Sequence, residues 1–268
     1  GNSGNDLASQ TTVINGGGSQ TGNVIYVSAT GSGTVGGVRY EDEDILAYYV
    51  DSDSWSLFFD GSLQGFTRDI NAFHITSDGS IYMSFDGEVT LPNAGRVDDS
   101  DIVFFDSSTG LFTLVFDGSA HDLTSSDEDI DGLYVDASGN FIVSTTGTAK
   151  VNGSSLEVRD EDAMRFNVGT QMWEMWVDNS DTGYTGDVDA LWLDGSEAYF
   201  SLNGSFSSVG AERQDVFMMH VTSFGNNTAG SYGPGLFFDA SAHGFSGDVD
   251  GLHVVLNPDV LKSDLYRS

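Results

Sequence analysis

Residues 129–144 read DIDGLYVDASGNFIVS, an acidic start followed by two short apolar runs with a turn sequence between them. Close copies begin at Asp69 (DINAFHITSDGSIYMS), Asp187 (DVDALWLDGSEAYFS) and Asp248 (DVDGLHVV), and the last copy stops halfway. The four copies start 60, 58 and 61 residues apart. A nearly constant period of this length indicates structural units that are repeated along the chain and packed against one another.

Each period contains four short runs rich in Val, Ile, Phe, Tyr and Leu, separated by Gly, Asp, Ser and Asn. In the period that starts at Asp129 these runs are DIDGLYVD, NFIVSTTG, DAMRFNV and QMWEMWVD. This composition is typical of β-strands joined by tight turns, and no amphipathic helix of useful length interrupts it. The sequence therefore predicts an all-β fold, a four-bladed β-propeller of four-stranded antiparallel blades.

The truncated last copy predicts how the ring closes. DVDGLHVVL supplies a first strand that Pro258 ends, and the missing second strand is NVIYVSAT near the N-terminus. Pairing of these N- and C-terminal strands would complete one blade and protect its edges. A sandwich or an open solenoid is the alternative, because a period alone does not prove closure. The predicted domains are an arm at residues 1–22, the propeller at 23–257 and a tail at 258–268.

The composition limits the classes of partner. The chain has 268 residues, with 41 acidic against 9 basic ones and a formal net charge of −32. Nucleic acids and anionic membranes are poor partners for it, because phosphate contacts need clustered Lys and Arg. No apolar run approaches the ~20 residues of a transmembrane helix. The acidity indicates either a solvated surface suited to high salt or the binding of cations.

Two acidic motifs recur in the blades. The first, D-x-[DN], opens the first strand, and the second precedes the third strand. Because the first and third strands of a meander run the same way, we expect both motifs at one end of the propeller. Alternation along a strand further predicts that both polar residues of D-x-[DN] point together. The predicted metal ligands are Asp69, Asn71, Asp129, Asp131, Asp187, Asp189, Asp248 and Asp250 of the first motif, and Asp44, Asp101, Asp162 and Asp215 of the second.

The same acidic residues support two interpretations. Crowded carboxylates repel one another unless a proton or a cation neutralises them. Calcium takes six to eight hard oxygen ligands, which Asp, Asn and turn carbonyls supply, whereas magnesium prefers to keep its waters. We therefore expect calcium as the cofactor of the acidic loops. The alternative is that these side chains cap turns by accepting hydrogen bonds from backbone N–H groups.

The N-terminal arm is rich in Gly, Ser, Asn and Gln, the composition of a flexible linker, but it contains the short strand candidate TTVI. We expect this strand to add to a sheet of a neighbouring subunit through Thr11, Thr12, Val13 and Ile14. A head-to-tail contact of that kind does not close on itself and generates a filament. The expected partner is thus a second copy of the chain.

The motifs DVDAL, DEDI and FDGS resemble those of acidic repeats in uncharacterised secreted bacterial proteins, and the resemblance covers residues 23–257. It implies a secreted or cell-surface location and no particular activity. The four-bladed architecture is also similar to that of hemopexin domains, which are binding modules with ions in the central channel. Fold alone does not define function.

We expect a non-catalytic extracellular structural or adhesive protein rather than an enzyme, because no nucleophile and base stand out from the repeat background. One alternative is a monomeric module that binds a glycan or a protein ligand on its loop face. Another is a calcium-dependent hydrolase.

Two further motifs are weaker. GSGTVG at residues 31–36 fits the dinucleotide pattern G-x-G-x-x-G, but it opens no helix, so we expect a mobile connection between strands there. Three glycosylation sequons occur in expected loops, at Asn152, Asn203 and Asn226.

Overall fold

The computed structural model describes residues 22–257, which form 24 strands. The strands of the first half are β1 (Val24–Ala29), β2 (Gly33–Val35), β3 (Val38–Tyr40), β4 (Ile45–Tyr49), β5 (Ser54–Phe59), β6 (Ile70–Ile75), β7 (Ile81–Phe85), β8 (Val89–Leu91), β9 (Gly95–Val97), β10 (Ile102–Asp106), β11 (Leu111–Phe116) and β12 (Ile130–Val135). Those of the second half are β13 (Phe141–Thr145), β14 (Ala149–Val151), β15 (Leu156–Val158), β16 (Ala163–Asn167), β17 (Met172–Val177), β18 (Val188–Asp194), β19 (Glu197–Leu202), β20 (Ser205–Phe206), β21 (Ala211–Glu212), β22 (Val216–Ser223), β23 (Ala229–Phe238) and β24 (Val249–Val255). The helical segments of this range are short: α1 (Gly61–Gln64) and 3-10 turns at Val50–Ser52, Ser119–His121, Asn179–Thr182 and Ser241–His243.

Sixteen strands form four antiparallel blades. From the centre outward, blade 1 is β24, β1, β4 and β5, blade 2 is β6, β7, β10 and β11, blade 3 is β12, β13, β16 and β17, and blade 4 is β18, β19, β22 and β23. The inner strand of each blade contacts the inner strands of both neighbouring blades, so the four surround a central channel. The predicted four-bladed propeller is confirmed.

Apolar side chains fill the interfaces between neighbouring blades. Each of the four buried clusters joins residues of two adjacent blades. All six residues of β1 are buried, because a strand that lies within a blade and between two other blades has no solvent-facing side. This double burial explains why the inner runs of each period are almost continuously apolar.

The ends of the propeller meet in blade 1. β1 pairs antiparallel with β24, and the register places Val24 opposite Val255 and Val27 opposite Leu252. The expected closure by an N-terminal and a C-terminal strand is therefore correct. Of the predicted arm only Gly22 is described, so the assembly residues Thr11, Thr12, Val13 and Ile14 lie outside the described residues, as does the tail at 258–268.

The remaining eight strands form four small hairpins between the second and third strands of the blades. The sequence interpretation missed them. GSGTVG lies in the connection between β1 and β4, as expected, and this connection forms the β2–β3 hairpin, in which Val35 pairs with Val38. Val35 is buried at 2% exposure, because the hairpin folds its apolar face over the core between blades.

No described helix is long and apolar enough to cross a membrane.

Candidate metal site at the channel mouth

Every inner strand carries a β-bulge at the same place. In blade 2 the pairing with β7 runs from Ile70 directly to Ala72, and the other three blades show the same skip. The residues left out of the pairing are Asn71, Asp131, Asp189 and Asp250. A bulge bends the strand and redirects the side chain of the extra residue. The bulge interrupts the strand alternation on which we based the expectation, although Asp187 and Asp189 still lie close enough to repel each other.

The four bulged side chains form one ring at the start of the inner strands, which we call the channel mouth. All four are buried, with Asp131 at 1% and Asp250 at 2% exposure. The ring is tied to its neighbours, since the Asn71 amide donates to the Ile130 carbonyl of blade 3 at 3.0 Å. Asp131 accepts a hydrogen bond from Ser144 on the next strand of its own blade at 2.7 Å.

The two most deeply buried carboxyl groups of the ring have spare oxygens. Oδ2 of Asp131 and Oδ2 of Asp250 are both shielded from solvent and have no hydrogen-bond partner. An unpaired buried polar atom carries the full cost of its desolvation. The channel mouth therefore holds acceptor capacity that the described residues do not use.

The electrostatics of the ring disfavour its charged state. Burial, followed by the nearby carboxylates of Asp189 and Asp69, raises the pKa of Asp250 to about 10. Burial and repulsion from Asp187 and Asp189 raise the pKa of Asp131 well above its usual range. Burial raises the pKa of Asp189 to about 7, again with repulsion from Asp187. At neutral pH the ring needs a proton or a cation to remain buried.

The first residue of each D-x-[DN] motif lies immediately before its strand, just outside the ring. Burial is the main cause that raises the pKa of Asp69 to about 8 and those of Asp129 and Asp187 to about 7. Asp248 differs, because Arg213 lies 3.0 Å from its Oδ2 atom. The outer residues thus surround the channel mouth with further carboxylates.

The second acidic motif has another role. In blade 2 the Asp101 carboxylate accepts from Asp98 N at 3.0 Å through Oδ2 and from Gly118 N at 3.1 Å through Oδ1. The equivalent carboxylates of Asp44 and Asp162 make the same pair of bonds, and that of Asp215 accepts from Glu212 N. This is the turn-capping interpretation of the motif. Both carboxylate oxygens of Asp44, Asp101 and Asp162 are thus engaged by backbone donors, unlike those of Asp131 and Asp250.

Both motifs lie at one end of the propeller, as expected. Carbonyl groups of the turn that holds the second motif accept hydrogen bonds from the next blade: Ile130 N donates to Asp99 O at 3.0 Å, and Val188 N donates to Asp160 O at 3.0 Å. The caps therefore fix the turns that position the bulged strands of the channel mouth.

The channel is narrowed below the mouth by a second ring of larger side chains. His74 lies with its ring centroid 5.0 Å from that of Tyr134 and 5.0 Å from that of His253, and Trp192 lies 6.1 Å from His253. Burial lowers the pKa of His74 to about 4, so this ring is uncharged at neutral pH. A cation at the mouth would meet a floor of uncharged aromatic and imidazole rings.

The described side chains of the mouth do not form a compact ligand cage. In the described range of the chain, no three His, Asp or Glu side chains come together as a ready metal cluster. With one oxygen-bearing side chain per blade, a cation held here would take part of its coordination from water.

The sequons lie in different surroundings. Asn152 donates from its amide nitrogen to Trp173 O at 2.7 Å and accepts from Trp173 N at 2.9 Å, so the nitrogen that a glycan would modify is already hydrogen-bonded. Asn203 donates to Asp187 at 3.3 Å. Asn226 is exposed.

No family model and no curated protein matches the chain. Among solved structures, the chain is similar to an alpha-L-arabinofuranosidase from Clostridium thermocellum at 15% identity, with a TM-score of 0.38 over 79% of this chain and 68% of the other. It is similar to virginiamycin B lyase from Staphylococcus aureus at 11% identity, with a TM-score of 0.32 over 80% of this chain and 55% of the lyase. A protein of unknown function from Bacteroides caccae is similar at 9% identity, with a TM-score of 0.41 over 87% and 99%.

These findings correct one expectation. We expected the chain not to be an enzyme, but the structures similar to it include an arabinofuranosidase and a lyase, so that expectation is overturned. Similarity at this level assigns no reaction to the chain. None of the comparisons confirms the resemblance to acidic repeats of secreted bacterial proteins.

Proposed function

We propose that the chain is a calcium-binding β-propeller of an extracellular structural or adhesive assembly, with the cation held at the channel mouth. The observation that carries the cation part is the pair of unpartnered, buried Oδ2 atoms of Asp131 and Asp250. These belong to opposite blades, and Asp131 contributes to the raised pKa of Asp250. A cation between the blades would remove this repulsion.

Calcium is the preferred ion for chemical reasons. The ring offers only carboxylate and amide oxygens, which are hard ligands, and it encloses no compact octahedral cage of the kind that magnesium favours. A site that depends partly on water binds calcium weakly, with a dissociation constant on the order of 10⁻⁴ to 10⁻³ M, as in extracellular modules. Weak affinity of this kind is useful where calcium is abundant, which supports the extracellular part of the proposal.

Assembly is the second part of the proposal, and it rests on the sequence of the arm. TTVI is a β-prone segment between Gly-rich flanks, which suits strand addition to another copy of the chain. The secreted location, the adhesive role and the resemblance to acidic bacterial repeats belong to this same proposal.

Titration calorimetry of the metal-free chain with calcium tests the cation site. We expect one site that is lost in the double variant Asp131→Asn and Asp250→Asn and retained in Glu88→Gln, which removes a carboxylate from an exposed hairpin pair with Arg96. A ligand bound only by the folded state also raises the Tm, by an amount that grows with calcium concentration. Equal calcium binding by the double variant and the wild type would rule out the channel mouth as the site.

A further inference from the structure

The outer edge of blade 3 is covered by a segment from blade 4. The long connection between β22 and β23 runs beside β17, where Gly225 N donates to Trp176 O at 2.9 Å and Gly225 forms a parallel bridge with Val177. Phe224 packs on Trp176 with ring centroids 4.7 Å apart. This segment is an example of strand addition within one chain. It contributes one backbone hydrogen bond, from Gly225, and one apolar side chain, that of Phe224, and both contact the bulged residue Trp176 of the outer strand.

Within residues 22–257, blade 2 presents the equivalent edge without such a cover. β11 is the outermost strand of its sheet, and β10 is its one strand partner among the described residues. Its pairing skips Val115, as that of β17 skips Trp176, so the two positions correspond. Leu111, Leu114 and Val115 are 46%, 38% and 41% exposed, and the strand LFTLVF has no charged residue.

The other two edges are less suited to an incoming strand. In blade 1 the corresponding bulge residue is Phe58, whose ring packs on Tyr26 at 4.8 Å, and the strand SWSLFF carries two Ser side chains. In blade 4 the outer strand contains Pro234, and Phe237 at the bulge is 3% exposed. Proline and buried bulge residues are devices that protect sheet edges. Among these strands, β11 combines an edge free of proline with a bulge residue, Val115, that is 41% exposed.

The charge of the chain indicates which segment could bind there. Two copies that each carry −32 repel each other, so a contact between them must use uncharged surfaces. Residues 1–21 contain one charged side chain, Asp6, and their only β-prone run is TTVI. Binding of the arm to its own propeller would not require an uncharged contact surface, because the covalent link already holds the two parts close together.

We propose that residues 11–14 of a second copy add as a strand to the edge of β11. By analogy with the cover of blade 3, a backbone N–H of the incoming segment bonds to Val115 O, and Val13 or Ile14 packs on Leu114 and Val115. This inference rests on the assembly part of the proposed function and is independent of calcium. The edge of β11 is thus the proposed acceptor surface for the arm.

The test uses two matched substitutions. Leu114 in blade 2 and Leu57 in blade 1 occupy corresponding positions in the outer strands, and both are 38% exposed. In sedimentation velocity and negative-stain microscopy of the full chain, we expect Leu114→Lys to abolish the assemblies that the wild type and Leu57→Lys form. Unchanged thermal melts of both variants verify that each is folded.

A mixing experiment identifies the two halves of the contact. A chain lacking residues 1–21 keeps the acceptor edge, and Leu114→Lys keeps the arm, so each alone should be monomeric and an equimolar mixture should form 1:1 dimers. Loss of assembly on arm deletion with normal assembly of Leu114→Lys would keep the proposed function and overturn β11 as its acceptor. A wild type that stays monomeric at all concentrations would overturn both. Arm-dependent protection of β11 from hydrogen exchange in such a monomer would show binding within one chain.

Discussion

Asp131 and Asp250 belong to opposite blades, yet each leaves its Oδ2 atom buried and unpaired at the same end of the channel. Both are the extra residues of β-bulges, which redirect their side chains from the simple alternation of a strand. Their mutual repulsion contributes to the raised pKa of Asp250. The stability of the propeller is therefore expected to depend on how this region is neutralised.

The first prediction concerns pH. Asp69, Asp129 and Asp189 have folded-state pKa values raised by burial to about 8, 7 and 7, above an unfolded value of 3.8, so the folded state binds more protons between these limits. Stability is then lost as pH rises through this window. In chelator, we expect a Tm that is roughly 5–10 °C lower at pH 8 than at pH 5.

Calorimetry with chelator and with millimolar calcium checks this pH dependence. Calcium should reduce the difference between pH 5 and pH 8, because it replaces the missing protons. A chelated protein that is more stable at pH 8 than at pH 5 would contradict the burial of uncompensated carboxylates at the mouth.

The second prediction concerns a single change in the ring. Asp131→Asn replaces a buried carboxyl group, which needs a proton or a cation to stay buried, with an amide such as blade 2 already has at Asn71. In chelator at pH 8 we expect its Tm to rise by about 2–4 °C, which corresponds to roughly 1 kcal/mol for a domain of this size. The stabilisation by calcium should shrink in the same variant. Differential scanning calorimetry measures both effects, with Glu88→Gln as the control for loss of an exposed charge.

The third prediction separates caps from ligands. Asp101→Ala leaves Asp98 N and Gly118 N without their acceptor, and Asp101 is buried at 6% exposure. We expect a loss of about 2 kcal/mol in the free energy of unfolding, equal in calcium and in chelator. Urea unfolding under both conditions provides the measurement. A loss that occurs only in calcium would make Asp101 a metal ligand instead of a cap.

The fourth prediction concerns close packing at the centre. A Cβ atom at Gly251 would lie 2.5 Å from Ser28 Oγ and 2.6 Å from Phe73, whereas one at Gly31 would meet nothing within 4 Å. Gly251→Ala should destabilise the protein by about 1–3 kcal/mol, since overpacking displaces side chains of two blades. Gly31→Ala should have little effect. Equal urea midpoints for the two variants would show that the centre tolerates the extra methyl group.

The sequence was sufficient for the architecture and insufficient for the site. The repeated Asp residues and the truncated last copy predicted four blades and their closure, because each period must bury its apolar runs against the next. The bulges could not be predicted, since D-x-[DN] reads the same whether or not the pairing skips its last residue. The small hairpins were missed because their strands have only two or three residues.

The sequence interpretation predicted metal ligands in both acidic motifs because both motifs are rich in Asp. Asp101 and Asp131 differ in what lies around the carboxylate: backbone N–H groups surround Asp101, whereas Asp131 has one Ser hydroxyl and neighbouring carboxylates. That difference depends on contacts between turns about 17 residues apart and between blades, which a local pattern does not contain.

The pairing of Val24 with Val255 also has a mechanical consequence. The two points at which the chain enters and leaves the propeller are neighbours on antiparallel strands. A pull applied between them peels β1 from β24 one residue pair at a time, instead of loading all the pairs together in shear. If tension is instead applied between β1 and a different blade, the load falls on the packing between blades, and the contacts of that interface must break together. A fibre of such rings would resist stretching best when its links join the arm of one ring to the rim of the next.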